Sequence, residues 1–267
     1  MAREENSSPK GKYLYSVVPA EAVDKLKLEV EGIEGSEVHP LVSGQLAAIV
    51  SDVAATEMRP ERRNLSAHSA VLRSLMDQTN LLPVAFGVVA GSEREVRELL
   101  AEHESEMREQ LEAVDGKVEM GLRGVLQVPD IFKYFVEKYS DLRQLRDEIF
   151  SGGQPSRDQK IELGQAFAEM LQQFQDECAD QASQHLQNVG KTRANEPRSE
   201  EEALNLAVLV PRESVEAFTK AVNEMAPSLD ENIELQVTGP WPPYNFVDLR
   251  IHTVEEEEEA EEGEEAR

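Results

Sequence analysis

Cysteine is almost absent from this sequence, which contains only Cys178 among its 267 residues. A single thiol excludes an intramolecular disulfide and any Cys-x-x-Cys metal or redox motif, and such a composition suits a reducing cytoplasm. Long apolar runs are missing too: no stretch approaches the length needed to cross a bilayer, and residues 1–11 lack the apolar core of a secretory signal. We therefore expect an unexported, cytoplasmic chain that does not enter a membrane.

Basic residues are scarce, because 27 Lys and Arg stand against 53 Asp and Glu and give a formal net charge of −26. The segment Glu255–Arg267 alone contains nine Glu and one Arg. A field of this sign repels phosphate backbones, so the sequence predicts that the chain binds no nucleic acid. Residues 1–11 are expected to form a flexible tail, and residues 253–267 a disordered acidic tail.

Motifs of known catalytic chemistry are also missing. The five histidines form no His-Glu-x-x-His motif, and the sequence has no glycine-rich phosphate loop and no Gly-x-Ser-x-Gly motif. His68 and His103 fall on apolar faces of predicted helices, where a buried, hydrogen-bonded imidazole is a commoner outcome than a ligand or a base. Cys178 lies on an apolar helix face and is expected to be an inert buried thiol. The sequence therefore predicts no catalytic residue, no metal site and no cofactor.

The first half of the chain predicts an α+β domain at residues 12–128. Hydrophobic periodicity and turn residues give, in chain order, a strand at 13–18, a short helix at 19–30, hairpin strands at 38–42 and 46–53, a helix at 60–80, an apolar strand at 81–89, a helix at 92–114 and a strand at 117–128. The stronger elements follow the order β-α-β-β-α-β, with one helix and one apolar strand inserted before the last pair. This is the split βαβ, or ferredoxin-like, order.

The second half predicts a helix-rich α+β domain at residues 129–252. Its predicted elements are a helix at 129–150, a linker at 151–155, a long helix at 157–189, a polar loop at 191–202, a strand at 204–210, a helix that begins at 211, a strand at 233–237 and a last strand at 246–251. The fold class is thus α+β with two domains.

The segment Thr238–Phe246 has the most unusual composition in the chain. It holds three prolines and the only tryptophan, and proline excludes both a helix and a central strand. We expect a stiff turn that presents Trp241, Tyr244 and Phe246 in a fixed geometry. Packing of these three rings onto a core is the simpler interpretation from local chemistry alone.

Together with three other segments, this one resembles the gas vesicle protein F/L family. The matching segments are, in order, the strand Tyr13–Val18, His68 with Leu82–Val89, the strand Val118–Arg123, and Leu204–Arg212 with Thr238–Val247. They span most of the chain between residues 12 and 250. One departure is Ala85, because the family usually has a basic residue at this position.

The resemblance implies an accessory or minor structural protein of gas vesicle assembly, and not an enzyme. It implies two α+β domains, of which the first is a modified ferredoxin-like unit. It also implies binding of the small, hydrophobic major shell protein, and possible binding of other gas vesicle accessory proteins. An apolar groove or sheet edge on an acidic protein would cover the shell protein and limit its aggregation during nucleation. The expected location is the cytoplasm and the gas vesicle.

The candidate partner-binding residues are Trp241, Tyr244 and Phe246 from the aromatic turn, with Phe86 and Val88 from the apolar strand. The alternative, that both segments only form core, is equally compatible with the sequence. Two other functions stay open at this stage: a small-molecule regulatory module built on ferredoxin-like domains, and an enzyme that uses His68 or His103.

Overall fold

The computed structural model describes residues 11–54 and 58–249, and it confirms the α+β class with two antiparallel sheets. The chain divides into two compact units, each containing one sheet. The first unit holds the residues up to Val118 and those from Trp241 onwards, and the second is Glu119–Pro240. The sequence-based boundary lay ten residues later, after residue 128, and independent folding of residues 12–128 and 129–252 stays a prediction.

The sheet of the first unit is built around its first strand. The strands are β1 (Gly11–Pro19), β2 (Val38–Ser43), β3 (Leu46–Val53), β4 (Leu82–Pro83) and β5 (Val89–Ala90). Their order is β2-β3-β1-β4, and β5 also pairs with β1. The predicted hairpin between β2 and β3 is present, and it turns at Gly44, whose φ of +57° favours glycine.

Strand β1 is buried along both faces, because helices pack on each side of it. The helices of this unit are α1 (Arg62–Met76), α2 (Glu93–Glu102) and α3 (Glu104–Ala113). Successive side chains of a strand point to opposite faces. Tyr13 accordingly reaches His68 of α1, whereas Lys12 reaches Glu93 of α2 at 3.0 Å and Asp52 of β3 at 2.6 Å. The strand therefore lies between α1 and α2.

One strand prediction in this unit is wrong, and another predicted strand is present but belongs to the other sheet. The apolar run 81–89 is not one strand but the two short strands β4 and β5, with residues 84–88 bulging out between them. On β1, only two residues separate the partners of Pro83 and Val89, so the five intervening residues cannot all pair. The predicted last strand of the domain, at 117–128, is β6 (Lys117–Leu126) and belongs to the other sheet. The outer position beside β1 is therefore taken by β4 and β5.

The helix predictions for this unit are correct in position but not in continuity. The expected helix after Pro19 is a 3-10 turn, Ala20–Lys25. The expected helix at 92–114 is broken at His103 into α2 and α3, since His103 has φ −104° and ψ 17°. The start of α2 is capped: the Ser92 side chain accepts a hydrogen bond from the Glu95 backbone N–H, and the Glu95 carboxylate accepts from the Gly91 N–H.

The second unit covers its sheet with helices that share an aromatic core. The strands β6, β7 (Lys191–Ala194), β8 (Glu202–Pro211) and β9 (Ile233–Trp241) have the order β7-β8-β6-β9. The helices are α4 (Ile131–Lys138), α5 (Ser140–Ser151), α6 (Arg157–Leu186) and α7 (Val215–Met225). The ring of Phe135 lies 5.4 Å from that of Phe174 and 5.6 Å from that of Phe167, so α4 packs against α6 through edge-to-face contacts.

Several predictions for the second half need correction. The polar segment 191–202 begins with strand β7, because its backbone pairs with β8. The helix at 129–150 is broken at Tyr139, whose ψ of 118° is extended. Strand β9 continues through Pro240 to Trp241, which is compatible with proline because β9 is at the sheet edge.

The predicted last strand at 246–251 is also wrong over its described part. Tyr244–Phe246 form a 3-10 turn, and residues 247–249 have no regular structure. The predicted tails, apart from Gly11 at the start of β1, and His252 lie outside the described residues.

An ion pair in the second unit joins α4 to the turn before β9. The Asp230 carboxylate accepts hydrogen bonds from Lys138 Nζ, from the Tyr134 hydroxyl and from both the backbone and the side chain of Asn232. The Lys138 ammonium also lies 4.8 Å from the Phe174 ring centre. Burial alone would raise the pKa of Asp230, but these hydrogen bonds outweigh burial and hold that pKa below its usual range.

We predict that Asp230→Asn lowers the free energy of unfolding by about 2 kcal/mol at neutral pH, because the Lys138 charge loses its partner. The contribution of a depressed carboxyl pKa is complete above the unfolded value of about 4 and is lost as the pH falls through the folded value. The difference between wild type and variant should therefore be constant from about pH 5 to 8 and shrink in acid. Urea unfolding at several pH values measures it.

The control for this prediction is Glu224→Gln, which removes the exposed Lys220–Glu224 pair on α7. An exposed pair of this kind contributes less than about 0.5 kcal/mol. Equal destabilisation by the two variants would contradict a special role for Asp230.

Candidate functional site

His68 is the centre of a group of aromatic side chains in the first unit. It lies on α1, one turn before the buried residues Val71 and Leu72, and is itself 3% exposed. Its Nδ1 lies 2.9 Å from the hydroxyl of Tyr13, and its Nε2 lies 3.1 Å from the hydroxyl of Tyr244. Both ring nitrogens are thus hydrogen-bonded, as the sequence analysis favoured for this residue.

A neutral His68 with its proton on Nε2 satisfies its bonds to the two phenols. The backbone N–H of Gly87 donates to the Tyr13 hydroxyl at 3.2 Å, so the Tyr13 proton is free to be donated to Nδ1. Nε2 then carries the imidazole proton and donates it to the oxygen of Tyr244. The arrangement satisfies a neutral imidazole.

Burial sets the titration of these groups. It lowers the pKa of His68 to about 4, and a backbone hydrogen bond with Val84 only partly opposes this shift. Burial also raises the pKa values of Tyr13 and Tyr15. The Tyr15 hydroxyl accepts from the Ile33 N–H at 2.7 Å and lies 2.8 Å from the Ser51 hydroxyl. At neutral pH, His68, Tyr13 and Tyr15 are uncharged.

Three further ring contacts complete the group. The His68 ring stacks on Tyr15 with centres 5.7 Å apart, and the edge-on ring of Phe86 lies 5.8 Å from His68 and 6.0 Å from Tyr13. We refer to Tyr13, Tyr15, His68, Phe86 and Tyr244 as the aromatic cluster. Such ring pairs add about 1 kcal/mol each beyond the area that they bury.

The bulge at residues 84–88 holds Phe86 in the cluster. Its ends are pinned to β1, because Val84 N–H donates to the Tyr15 carbonyl at 2.9 Å and Leu14 N–H donates to the Val88 carbonyl at 3.0 Å. Gly87 has a φ of +101°, a conformation that residues with a side chain rarely adopt. Phe86 and Val88 are half-buried, and Ala85 between the pinned ends is exposed.

The segment that returns to the first unit is held at two points. Tyr244 bonds to His68, and four residues later the side-chain amide of Gln110 pairs with the backbone of Asp248. In that pair the Asp248 N–H donates at 2.8 Å and its carbonyl accepts at 2.9 Å, as in a strand ladder. Pro242 and Pro243 are buried, so the segment lies against the unit with little freedom.

The structure brings together two of the five predicted site residues, Phe86 and Tyr244. Trp241 and Tyr244 are 43% and 42% exposed, and Phe246 is half-buried. Sequence reasoning missed Leu65, which is 42% exposed and lies three residues before His68, on the same side of α1. The i, i+3 spacing of Leu65 and His68 was the available signal. Phe86 and Tyr244 both contact His68, and Leu65 precedes His68 by three residues on α1; we refer to Leu65, Phe86 and Tyr244 as the apolar patch.

Comparison with known proteins identifies the family. The family profile described as "Gas vesicle synthesis protein GvpL/GvpF" matches residues 11–248. The chain belongs to the GvpL/GvpF family. It is 32% identical to gas vesicle protein F of Streptomyces sp. (strain CB03234), over 79% of this chain and 88% of that protein. It is 26% identical to gas vesicle protein F1 of Halobacterium salinarum, over 90% of this chain and 93% of that protein.

Solved GvpF structures have the same fold. The crystal structure of GvpF from Anabaena sp. PCC7120 matches with a TM-score of 0.74 and 24% identity, over 90% of this chain and 99% of that chain. GvpF from Microcystis aeruginosa matches with the same TM-score and 20% identity. Membership of the GvpL/GvpF family gives this chain a role in gas vesicle assembly.

The other two candidate groups of this GvpL/GvpF chain, His103 and Cys178, lie in different units. His103 is at the break between α2 and α3, partly exposed, and Cys178 is buried on α6, where burial raises its pKa to about 11. Among the described residues, no three His, Cys, Asp or Glu side chains are grouped to hold a metal ion. None of the described helices combines the length and the apolar character that crossing a membrane requires.

A cleft of about 450 Å³ is present in the first unit. It lies between the end of β1, the hairpin at Gly44 and the last turns of α3, and Glu21, Arg108 and Glu112 line it. All three of these charged residues are exposed. The cleft offers no converging set of buried polar groups of the kind that orients a ligand.

We predict that His68 makes stability depend on pH. Its folded pKa of about 4 lies below the unfolded value of about 6.5, so the unfolded chain binds more protons between these values. Stability should therefore be complete above about pH 6.5 and fall by up to about 3 kcal/mol as the pH drops to about 4. His68→Asn should be less stable at pH 7 and should flatten this part of the profile.

Urea unfolding between about pH 4 and 7, with His103→Gln as the control, measures the effect. Nuclear magnetic resonance titration of the His68 ring protons gives its pKa directly. A His68 ring that titrates near its unperturbed value of about 6.5 would disprove the buried, neutral assignment.

Proposed function

We propose that this chain binds the hydrophobic major shell protein of the gas vesicle through the patch of Leu65, Phe86 and Tyr244. Binding covers the apolar surface of the shell protein and limits its aggregation during nucleation. One observation carries the proposal: the exposed ring of Tyr244 and the half-buried ring of Phe86 both contact the buried His68, which holds them in one geometry. Trp241, Phe246 and Val88, from the same two segments, flank the patch and extend the contact.

Rigidity supports a binding role for the patch. Ordering a mobile side chain costs free energy on association, so anchors that are already fixed bind more tightly. Tyr244 is fixed by its hydroxyl bond to His68, and Phe86 by the pinned bulge and by two ring contacts. Aromatic side chains in such positions commonly supply most of the binding energy of an interface.

The chemical state of the cluster also supports binding over catalysis. His68 is buried and neutral, and its two nitrogens already have phenol partners. A general base needs a free nitrogen within reach of a substrate proton. We propose that the histidine positions the patch and that the protein acts without a cofactor.

The negative charge of the chain suits a protein that keeps an apolar partner in solution. A net charge of −26 makes copies of the complex repel each other, which opposes aggregation while the apolar surfaces are joined. We place this activity in the cytoplasm and at the growing gas vesicle. Other gas vesicle accessory proteins are possible further partners of the same complex.

The test is co-expression of the chain with the major shell protein, followed by measurement of the shell protein that stays in solution and co-purifies. The wild-type chain should retain it in a defined complex. The double variant Phe86→Ala/Tyr244→Ala should reduce co-purification at least about tenfold, because two aromatic anchors are lost.

Three control variants separate contact from folding. Tyr244→Phe keeps the ring but removes the hydroxyl bond to His68, so it should bind less tightly than wild type and more tightly than the double variant. Phe150→Ala removes another exposed ring, 52% exposed at the end of α5, and should have no effect. Trp241→Ala tests whether the residues that flank the patch contribute to shell-protein binding. Wild-type co-purification by a folded Phe86→Ala/Tyr244→Ala variant would rule the patch out as the binding surface.

A further inference from the structure

Strand β9 forms one edge of the sheet in the second unit, and it is the longer and more apolar of the two edges. It spans nine residues, whereas the opposite edge strand, β7, spans four. Three apolar residues of β9, namely Ile233, Leu235 and Val237, share one face of the strand. Val237 is 39% exposed, and the other two are half-buried.

Two contacts define the register of β9 on β6. The N–H of Gln127 donates to the carbonyl of Asn232 at 2.7 Å, and a Cβ on Gly121 would approach the side chain of Thr238 to 2.5 Å. A step of six residues forward from Asn232 to Thr238 thus corresponds to a step of six residues backward from Gln127 to Gly121. The register of β9 on β6 is therefore antiparallel.

Backbone groups in an antiparallel pair alternate between facing the partner strand and facing away from it. Because Asn232 faces β6, the even-numbered residues up to Thr238 do so too. The N–H and C=O groups of Leu235 and Val237 consequently point away from β6, toward the side of β9 on which the described residues supply no further strand.

The stretch Ile233–Val237 of this edge lacks the features that usually protect an exposed strand. Natural edges are blunted by lysines, prolines, bulges or short length, and β9 has its proline only beyond this stretch, at Pro240. Strand β7 is short and carries Lys191 and Arg193. The stretch Ile233–Val237 has no basic residue, and its one charged side chain, Glu234, lies on the face opposite the apolar residues.

We propose that β9 binds an extended segment of the major shell protein as an added strand of the sheet. The added strand has apolar residues at alternate positions, which pack beside Leu235 and Val237, and a basic residue on its other face opposite Glu234. Backbone hydrogen bonds to Leu235 and Val237 supply affinity, and the side chains supply selectivity. The identity of the partner rests on the proposed function; the binding mode rests on the sheet edge.

Charge favours this occupant over a second copy of the chain. Two copies that joined their β9 edges would bring together chains with a net charge of −26 each, and Glu234 of each copy would approach the other. Like charges across a strand pair destabilise it. A basic residue in the added strand relieves the repulsion instead.

The experiment uses Val237→Pro in the full chain and synthetic peptides that tile the major shell protein. The N–H of Val237 points away from β6, so proline there should leave the fold intact, as thermal unfolding and circular dichroism will show. It removes a donor to the added strand and should weaken binding of the recognised peptide about tenfold. Val237→Ala keeps the donor and should weaken binding only about threefold.

Each outcome decides the proposal. Equal affinity of wild type and Val237→Pro, or a failure of every peptide to bind the wild-type chain, overturns it. Wild-type self-association that Val237→Pro abolishes, measured by analytical ultracentrifugation, overturns it in favour of a second copy. If Val237→Pro leaves shell-protein co-purification intact while Phe86→Ala/Tyr244→Ala abolishes it, the proposed function holds and the β9 inference fails.

Discussion

The two hydrogen bonds of His68 are the constraint on which the first unit depends. They join the first strand through Tyr13, the helix α1 that carries the histidine, and the returning segment through Tyr244. Leaving one nitrogen of this buried imidazole unpaired would lower the free energy of unfolding by about 1–3 kcal/mol. The three elements must therefore remain together for the network to be satisfied. The exposed ring of Tyr244 is consequently held in place by a buried group, so this surface side chain is fixed as firmly as a side chain of the core.

The elements that the sequence predicts well are those whose local signals agree. Alternating or β-branched runs predict β1, β3, β6 and β8, and the Ser92–Glu95 pair marks the start of α2. The helix breaks at His103 and Tyr139 carry no comparable signal, because neither is a glycine or a proline. Strand β7 could not be predicted either, since its exposed, polar residues are ordered by pairing with β8. In these places tertiary contacts override local preference.

The candidate site was predictable in composition and not in geometry. Prolines and aromatics single out Tyr244, and an apolar run singles out Phe86. The bond between His68 and Tyr244, however, joins residues 176 positions apart, and no local pattern encodes such a pairing. The bulge that holds Phe86 in the aromatic cluster arises because only two residues of β1 lie opposite the five residues 84–88. The i, i+3 spacing of Leu65 and His68 becomes informative only once the structure shows that His68 contacts Phe86 and Tyr244.

The strongly acidic character of the chain affects which proteins can associate with its exposed apolar side chains. Apolar contact is non-directional and would equally favour association between copies of this chain. The net charge of −26 opposes that association at a range of about 8–10 Å at physiological ionic strength, whereas a neutral or basic apolar partner meets no such barrier. In the proposed complex, the charge therefore selects the partner and the apolar groups supply the attraction. Because salt screens the repulsion between copies but leaves the apolar contact in place, the proposal implies that selectivity for a foreign partner is greatest at low ionic strength.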